Sequence, residues 1–330
     1  MKAFANANPR DLRQAVALLS EARAQKRSVS IVGGGSDLLG MIKEHLVEPD
    51  LLLNLKAIQG LDRVVARNGE VEIGGLITLD ALERDPLIRT RYTALAEAAE
   101  KVGTPQIRNA GTLAGNICQR PWCWYFRNGF PCFKNGGDFC YAAEGENQFH
   151  AIFGGDPSYI VHPSDTAPAL LALEAKFRVA SPSGERVIPA SEFFTLPGVD
   201  VTRENVLAED ELLVAVHLPP ARRGVRSTYY KVLDREAWTH AIVSAAVVLK
   251  MDQKICRSAR IVLGGVAPVP WRLPRVEAMF IGQRITPQLA AKAGEAAVEG
   301  ATPLAKNRYK VALTKAVVRR TVLQLADQRT

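Results

Sequence analysis

The sequence predicts an α+β fold in three parts, and three features of the chain support this prediction. Residues 1–58 alternate helical and strand patterns, residues 59–221 mix strands and helices around one long aperiodic segment, and residues 222–330 place strands before helices. A run of strands followed by helices is typical of a domain in which helices cover a sheet. Because 330 residues exceed one small core, we expect packed subdomains with boundaries near residues 58 and 221.

The first part is predicted to be an α/β unit. Its apolar residues switch between helical spacing and short β-branched runs, which indicates alternating helices and strands. Asn8 and Pro9 suit the start of the first helix, since proline is favoured at the first helical position. The predicted elements are a helix ending near residue 22, a strand over 28–32, a helix over 37–45 and a strand over 51–53.

A glycine-rich turn follows the first of these strands directly. Gly33, Gly34 and Gly35 precede Ser36 and Asp37, where the second helix is predicted to begin. Glycines let backbone N–H groups approach a phosphate closely, and a helix N-terminus favours an anion. The turn is neither a G-x-G-x-x-G fingerprint nor a P-loop. It is compatible with pyrophosphate binding, and a plain connecting turn is the alternative.

The second and third parts mix strands with helices. Asn68 and Gly69 suit a type I′ turn, because both tolerate positive φ, and they predict a hairpin over 64–73. Ser164 is a suitable N-cap for a helix over 165–173. The remaining predicted elements are helices from 79, over 92–102, 277–280, 287–298 and 307–326, and strands over 176–180, 211–218, 241–251 and 259–265.

Charge and hydropathy limit the classes of function. The net charge is +8, but Lys and Arg are scattered, so a solvated face or a rim that meets an acidic partner is preferred to nucleic-acid binding. No apolar run approaches the roughly 20 residues that span a bilayer. The N-terminus lacks the apolar stretch of a secretory signal, which predicts a cytoplasmic protein, or a periplasmic one if a partner subunit carries the signal.

Between residues 104 and 155 the apolar residues follow neither helical nor strand spacing, which predicts a long loop. A loop of this length in a compact protein is usually functional. Its first section, 106–117, is rich in small and amide side chains. This composition suits a backbone laid flat against a cofactor, with Thr112 and Asn116 supplying directed hydrogen bonds. A long surface loop is the alternative. Together with the glycine-rich turn, the section favours one large dinucleotide that bridges both loops.

Four of the five cysteines lie in this aperiodic segment, namely Cys118, Cys123, Cys132 and Cys140. Their spacing matches neither a zinc finger nor the common ferredoxin runs, but thiols so close in sequence can converge on one soft metal centre. The alternatives are a [4Fe–4S] cluster, a structural zinc ion and two disulfides. Dense aromatic residues favour the cluster, because an apolar shell limits solvent access. His150 and His162 lack ligand-like spacing to the cysteines and are interpreted as loop or helix-entry residues.

Several ordered segments resemble the FAD-binding subunits of the xanthine dehydrogenase family of molybdenum hydroxylases. They are the turn 33–38, the loop 111–117, the segment 162–170 and, at the start of the C-terminal domain, 229–232 with 234–236. The resemblance covers essentially the whole chain. It implies a two-part FAD-binding α/β region of the vanillyl-alcohol-oxidase (PCMH-like) type over 1–58 and 59–221, followed by a C-terminal α+β flavoprotein domain over 222–330.

The resemblance also implies which residues bind FAD. The glycine-rich turn would wrap the pyrophosphate, and the loop after Gly111 would contact the other side of the cofactor. Asp165 would bind the adenosine or ribose end, and Lys231 would lie near the flavin ring. The implied set is Val32, Gly33, Gly34, Gly35, Ser36, Asp37, Leu38, Leu39, Gly40, Thr112, Gly115, Asn116, Asp165 and Lys231.

The cysteine segment indicates which members of this family the chain resembles most. In most relatives the loop that corresponds to 111–117 is followed directly by the segment that corresponds to 162–170, whereas this chain has an insertion between them at about 118–155. It is similar to the insertion of bacterial aldehyde oxidoreductases whose flavin subunit holds an extra [4Fe–4S] cluster. The flavin subunits of 4-hydroxybenzoyl-CoA reductase and of xanthine dehydrogenase-like complexes are the alternatives. The resemblance implies that the cluster ligands are Cys118, Cys123, Cys132 and Cys140.

The implied function is that of an oxidoreductase subunit that transfers electrons. A molybdopterin-binding large subunit would hydroxylate the substrate, [2Fe–2S] clusters on a small subunit would carry the electrons, and FAD in this chain would pass them to an external acceptor. The sequence has no Ser-His-Asp set, paired-carboxylate signature or zinc-hydrolase motif, and we assign no catalytic residue. The alternative of another class is a stand-alone nucleotide-binding module with a structural zinc ion.

Overall fold

The computed structural model of the protein describes residues 2–236 and 239–327. Its strands form three sheets, of three, five and four strands, with helices packed around them. The α+β class is therefore confirmed. The boundaries near residues 58 and 221 fall between sheets, and as domain boundaries they stay a prediction.

The first sheet is parallel, with strand order β1-β3-β2. Its strands are β1 (Ala5–Ala7), β2 (Val29–Val32) and β3 (Leu51–Asn54), and its helices are Leu12–Ala24 and Leu38–Lys43. The first helix begins later than predicted, because the Asp11 side chain caps it by accepting a hydrogen bond from the Gln14 N–H at 2.8 Å. Strand β1 was not predicted, since three residues are too few to show a period.

The second sheet is antiparallel, with strand order β4-β5-β8-β6-β7. Its strands are β4 (Val64–Arg67), β5 (Glu70–Gly74), β6 (Lys176–Ser181), β7 (Gly184–Pro189) and β8 (Leu212–Leu218). Asn68 and Gly69 have φ of +53° and +85°, as the predicted hairpin turn requires. The helices of this part are Leu79–Arg84, Pro86–Arg91, Thr93–Glu100, Pro105–Ala110, Leu113–Ile117, Trp124–Arg127, Thr166–Ala172 and Ala190–Phe193.

The segment 104–155 is more ordered than predicted, because it contains three of these short helices. Threonine side chains cap two of them. Thr104 accepts a hydrogen bond from the Ile107 N–H, and Thr112 accepts one from the Gly115 N–H. Helices of four to six residues are too short to show a helical period, so composition alone suggested a loop.

The third sheet is antiparallel, with strand order β12-β11-β10-β9. Its strands are β9 (Val225–Val232), β10 (Val243–Asp252), β11 (Ile255–Gly264) and β12 (Trp271–Arg272), and its helices are Pro274–Phe280, Pro287–Ala296 and Tyr309–Asp327. The last helix buries Val318 and Val322 against this sheet. None of the helices described is both long enough and apolar enough to cross a membrane.

Candidate cofactor site

The glycine-rich turn and the 106–117 loop lie directly against each other. A Cβ atom on Gly34 would come within 1.9 Å of the Ala110 carbonyl oxygen, and one on Gly33 within 2.6 Å of Thr112 Oγ1. Only glycine permits this approach of the two backbones. Among the described residues, the N–H groups of Gly34, Gly35 and Ser36 donate no hydrogen bond, so they are available to an anionic ligand.

Two neighbouring cavities open beside this contact, and six residues line both of them: Ser36, Asp37, Val102, Ile107, Asn116 and Gln119. The turn cavity, of about 380 Å³, is lined by the glycine-rich turn and the 111–120 loop. The junction cavity, of about 400 Å³, reaches His240 and Ser244 of the third part. Two adjoining cavities of this size suit a large ligand such as a dinucleotide.

Most of the implied FAD-binding residues line these cavities. Leu39 and Gly40 line neither cavity, and Leu39 is exposed. Asp165 lines the junction cavity, whereas Lys231 lies outside both linings. The residues that line the turn cavity are Val32, Gly33, Gly34, Gly35, Ser36, Asp37, Leu38, Thr112, Gly115 and Asn116.

Asn116 is buried and joins the loop to the helix Thr166–Ala172. Its Oδ1 accepts hydrogen bonds from Ser164 Oγ at 2.6 Å and from Thr166 Oγ1 at 2.7 Å. Ser164 Oγ also accepts a bond from the Ala167 N–H at 3.0 Å, so it caps this helix as predicted. The amide oxygen of Asn116 is therefore committed to the protein, a role that the sequence did not indicate.

Asp165 and Lys231 form a buried ion pair, with 2.7 Å between Oδ2 and Nζ. The Lys231 ammonium also donates to the carbonyl oxygens of Lys101 at 2.8 Å and Thr239 at 3.1 Å, so its three N–H groups are all used. Tyr229 donates its hydroxyl to Asp165 Oδ1 at 2.6 Å. Burial and the Asp165 charge raise the pKa of Tyr229 well above its usual value. The pair thus connects the segment before the helix Thr166–Ala172 to strand β9.

Asp37 connects the glycine-rich turn to the cysteine segment. Its carboxylate accepts two hydrogen bonds from the Arg127 guanidinium, at 2.8 and 3.1 Å. Arg127 also lies over the Trp122 ring, 4.3 Å from its centroid. Such a bidentate pair fixes direction as well as distance. The glycine-rich turn and the cysteine segment are therefore held in one arrangement, which the sequence did not predict.

The structure brings three of the four clustered cysteines together. Cys123, Cys132 and Cys140 line a cavity of about 10 Å³, the cysteine cavity. Cys118 instead lines the turn cavity and packs against the core of the second part. Burial raises the pKa of the Cys118 thiol to about 12 and that of Cys123 to about 11. Aromatic side chains complete the wall of the cysteine cavity, namely Tyr125, Phe126, Phe133 and Tyr141.

All five cysteines are free thiols, which contradicts the two-disulfide alternative. Across residues 2–236 and 239–327, no group of three or more His, Cys, Asp or Glu side chains is arranged to hold a metal ion. The three thiols of the cysteine cavity thus share one small space without converging on a single point.

His150 lies beside these cysteines, although its spacing in the sequence did not suggest it. Its Nε2 is 3.3 Å from Cys123 Sγ. The residue is buried, and burial lowers the pKa of its imidazole to about 4. The signal available in the sequence was its place in the same aperiodic segment as the cysteines. His162 is also buried, but it packs edge-on against Phe194.

Two protein-family models together match most of the chain. Residues 2–221 match the family model described as the FAD binding domain in molybdopterin dehydrogenase. Residues 228–325 match the model described as the CO dehydrogenase flavoprotein C-terminal domain.

Several similar proteins match most of the chain, among them two curated relatives and one solved structure. The aldehyde oxidoreductase FAD-binding subunit PaoB of Escherichia coli (strain K12) is 35% identical over 289 residues, which cover 86% of this chain and 87% of that protein. The carbon monoxide dehydrogenase medium chain of Hydrogenophaga pseudoflava is 28% identical over 317 residues, with 94% and 93% covered. The structure of carbon monoxide dehydrogenase from that organism superposes with a TM-score of 0.77 at 26% identity, covering 98% of this chain and 96% of that one.

Proposed function

Since this chain belongs to the family of FAD-binding subunits of the molybdenum hydroxylases, we propose that it is the electron-transfer subunit of a molybdenum-dependent aldehyde oxidoreductase. The similarity to the aldehyde oxidoreductase subunit PaoB supports this substrate class. In this proposal the chain works with a molybdopterin-binding large subunit and a [2Fe–2S] small subunit. Electrons leave it for an external acceptor.

We place the FAD in the cleft formed by the turn cavity and the junction cavity. The free N–H groups of the glycine-rich turn suit the pyrophosphate, with Thr112 and Gly115 on the opposite wall. Asp165 would meet the cofactor from the junction cavity, and Lys231 would act by holding Asp165 in place. Bound FAD can accept two electrons and release them singly or as a pair, which suits a junction between one-electron clusters and an acceptor.

We further propose a [4Fe–4S] cluster between Cys123, Cys132 and Cys140. In such a cluster each protein ligand binds a different iron atom, whereas a zinc ion needs all its ligands at one point. The three thiols that share one cavity support this proposal through their chemistry, because cysteine thiolates are the usual protein ligands of such clusters. Because the cavity measures only about 10 Å³, the loops that carry the thiols would separate around a cluster.

One observation carries the electron-transfer proposal: Cys123 lines both the cysteine cavity and the junction cavity. A cluster bound to Cys123 would therefore border the cleft assigned to the flavin. The bidentate pair between Asp37 and Arg127 also joins the glycine-rich turn to the cysteine segment. This arrangement gives electrons a short path between the two groups.

We expect the purified complex to contain stoichiometric FAD that is bleached when an aldehyde is added without oxygen and recovers when an acceptor dye is added. The measurement is flavin absorbance over time. A complex without flavin would contradict the whole proposal. A flavin that stays oxidised with aldehydes but is bleached by a purine or another heterocycle would contradict only the assigned substrate class.

We expect Cys132→Ser to remove about four iron atoms per chain, because a four-iron cluster that loses a thiolate ligand is rarely retained. The measurement is total iron and acid-labile sulfide in the purified complex. Cys256→Ser is the matched control, since Cys256 is also buried but its thiol donates to the Ser258 carbonyl oxygen at 3.3 Å and does not line the cysteine cavity. Unchanged iron in the Cys132 variant would place the cluster elsewhere or remove it.

A further inference from the structure

Two exposed aromatic side chains of the cysteine segment border the junction cavity. Trp122 is 46% exposed and Phe149 is 52% exposed, and both line this cavity. Neither belongs to the glycine-rich turn or to the 106–117 loop. Ligand cavities are lined mainly by apolar and aromatic side chains, which a bound ligand covers. The cysteine segment therefore supplies aromatic surface to the cleft in which we place the FAD.

The indole of Trp122 is held in place by two neighbouring side chains. The Arg127 guanidinium lies over it, 4.3 Å from the ring centroid, and is itself fixed by two hydrogen bonds to Asp37. A cation over an indole face is attracted by the ring. On the side of the third part, the His240 ring centroid is 5.2 Å from that of Trp122. The indole is therefore oriented before a ligand binds, and its remaining surface lines the junction cavity.

The two cavities differ in the kind of ring that each one suits. Among the described residues that line the turn cavity none is aromatic, and this cavity extends to the buried side chains of Leu55, Leu79 and Leu213. Such an apolar enclosure suits the adenine ring, which carries no electrons. The junction cavity is bordered by the exposed Trp122 and Phe149, so a ring bound there stays within reach of a donor and an acceptor. The isoalloxazine ring therefore belongs in the junction cavity.

Given the FAD site proposed above, on which this inference rests, we propose that Trp122 is a further cofactor-binding residue whose indole stacks on the isoalloxazine ring. Stacking of two aromatic rings stabilises their contact beyond the apolar area that it buries. The indole also excludes water from the ring surface that it covers. Trp122 therefore contributes to FAD affinity and limits the approach of small acceptors on its side of the flavin.

The test measures FAD affinity and flavin fluorescence in the complete complex, stripped of FAD and then reconstituted. Trp122→Leu keeps an apolar wall without an aromatic face, and we expect it to bind FAD about tenfold more weakly. Trp122→Phe keeps an aromatic face and should bind FAD nearly as wild type does. A stacked indole quenches flavin fluorescence by donating an electron to the excited ring, which a phenyl ring does not do. Both variants should therefore fluoresce several-fold more strongly than wild type.

Trp124→Leu is the matched control. Trp124 is also 46% exposed, but it packs edge-on against Tyr125 and lines neither the turn cavity nor the junction cavity. We expect this variant to keep the FAD affinity and the flavin fluorescence of wild type.

Unchanged flavin fluorescence in both Trp122 variants would overturn the inference. If Trp122→Leu instead weakens the binding of ADP but not of FMN, the adenine ring lies at Trp122 and the assignment is wrong. The fluorescence of Trp122→Phe decides the question even if Trp122→Leu fails to fold. A wild-type complex that binds no FAD would overturn the proposed function itself, whereas normal FAD binding with no response at Trp122 would overturn this inference alone.

Discussion

Gly34→Ala is expected to abolish stoichiometric FAD binding. The added Cβ would lie 1.9 Å from the Ala110 carbonyl oxygen and 2.9 Å from Gly111 Cα, and both neighbours are backbone atoms. No rotamer change relieves such a clash, so the two loops must separate. Overpacking of this kind costs about 1–3 kcal/mol, and a loss of tenfold in FAD affinity corresponds to roughly 1.4 kcal/mol.

The measurement is the ratio of FAD to protein after purification, together with the dissociation constant of FAD for the stripped complex. Gly198→Ala is the control, because Gly198 is exposed and the nearest atom to an added Cβ is 3.9 Å away. We expect the control to bind FAD as wild type does. Full FAD content in Gly34→Ala would show that the contact between the two loops does not shape the cofactor site.

Lys231→Met is expected to destabilise the protein by about 3–5 kcal/mol, the usual cost of leaving a buried charge without its partner. The Asp165 carboxylate would lose its only cation within the described contacts and keep the Tyr229 hydroxyl. The carbonyl oxygens of Lys101 and Thr239 would also lose a donor. The readout is the thermal midpoint of the purified complex.

The double variant Lys231→Met/Asp165→Asn separates the charge effect from lost packing. It carries no buried charge at this position, so we expect it to recover part of the lost stability, as coupled residues do. Lys254→Met is the control for removing a lysine from an exposed position, with an expected change within about 0.5 kcal/mol. A double variant no more stable than the single one would mean that the ion pair contributes nothing through its charge.

The sequence predicted the elements that have a clear local pattern. The hairpin around Asn68 and Gly69 formed as predicted, because its turn depends on two adjacent residues. The predicted apolar face of the first helix was correct, but its predicted start was wrong, because Asp11 rather than Asn8 provides the N-cap. The short helices of the segment 104–155 escaped prediction, because all three are too short to show a helical period, and only two of them have a side-chain cap.

The sequence identified the segments that form the candidate site but not the side-chain contacts that hold them together. The glycine-rich turn and the 106–117 loop were both identified from the sequence, and the structure brings them together. The partners of Asp37 and Lys231 were not identified. Arg127 lies 90 residues from Asp37 along the chain, and Asp165 lies 66 residues from Lys231. No local pattern encodes pairs at such separations.

By itself the sequence determined the family, the α+β class and the types of side chain available for a flavin and a metal centre, because glycine turns, periodicity and thiol chemistry are local properties. Only the tertiary structure decided which thiols share a cavity. Cys118 lies five residues before Cys123, yet a helix end directs it into the core, while His150 is brought to Cys123 by a chain held against the last helix. The direction of a side chain depends on backbone packing between distant segments, and spacing along the chain does not contain it.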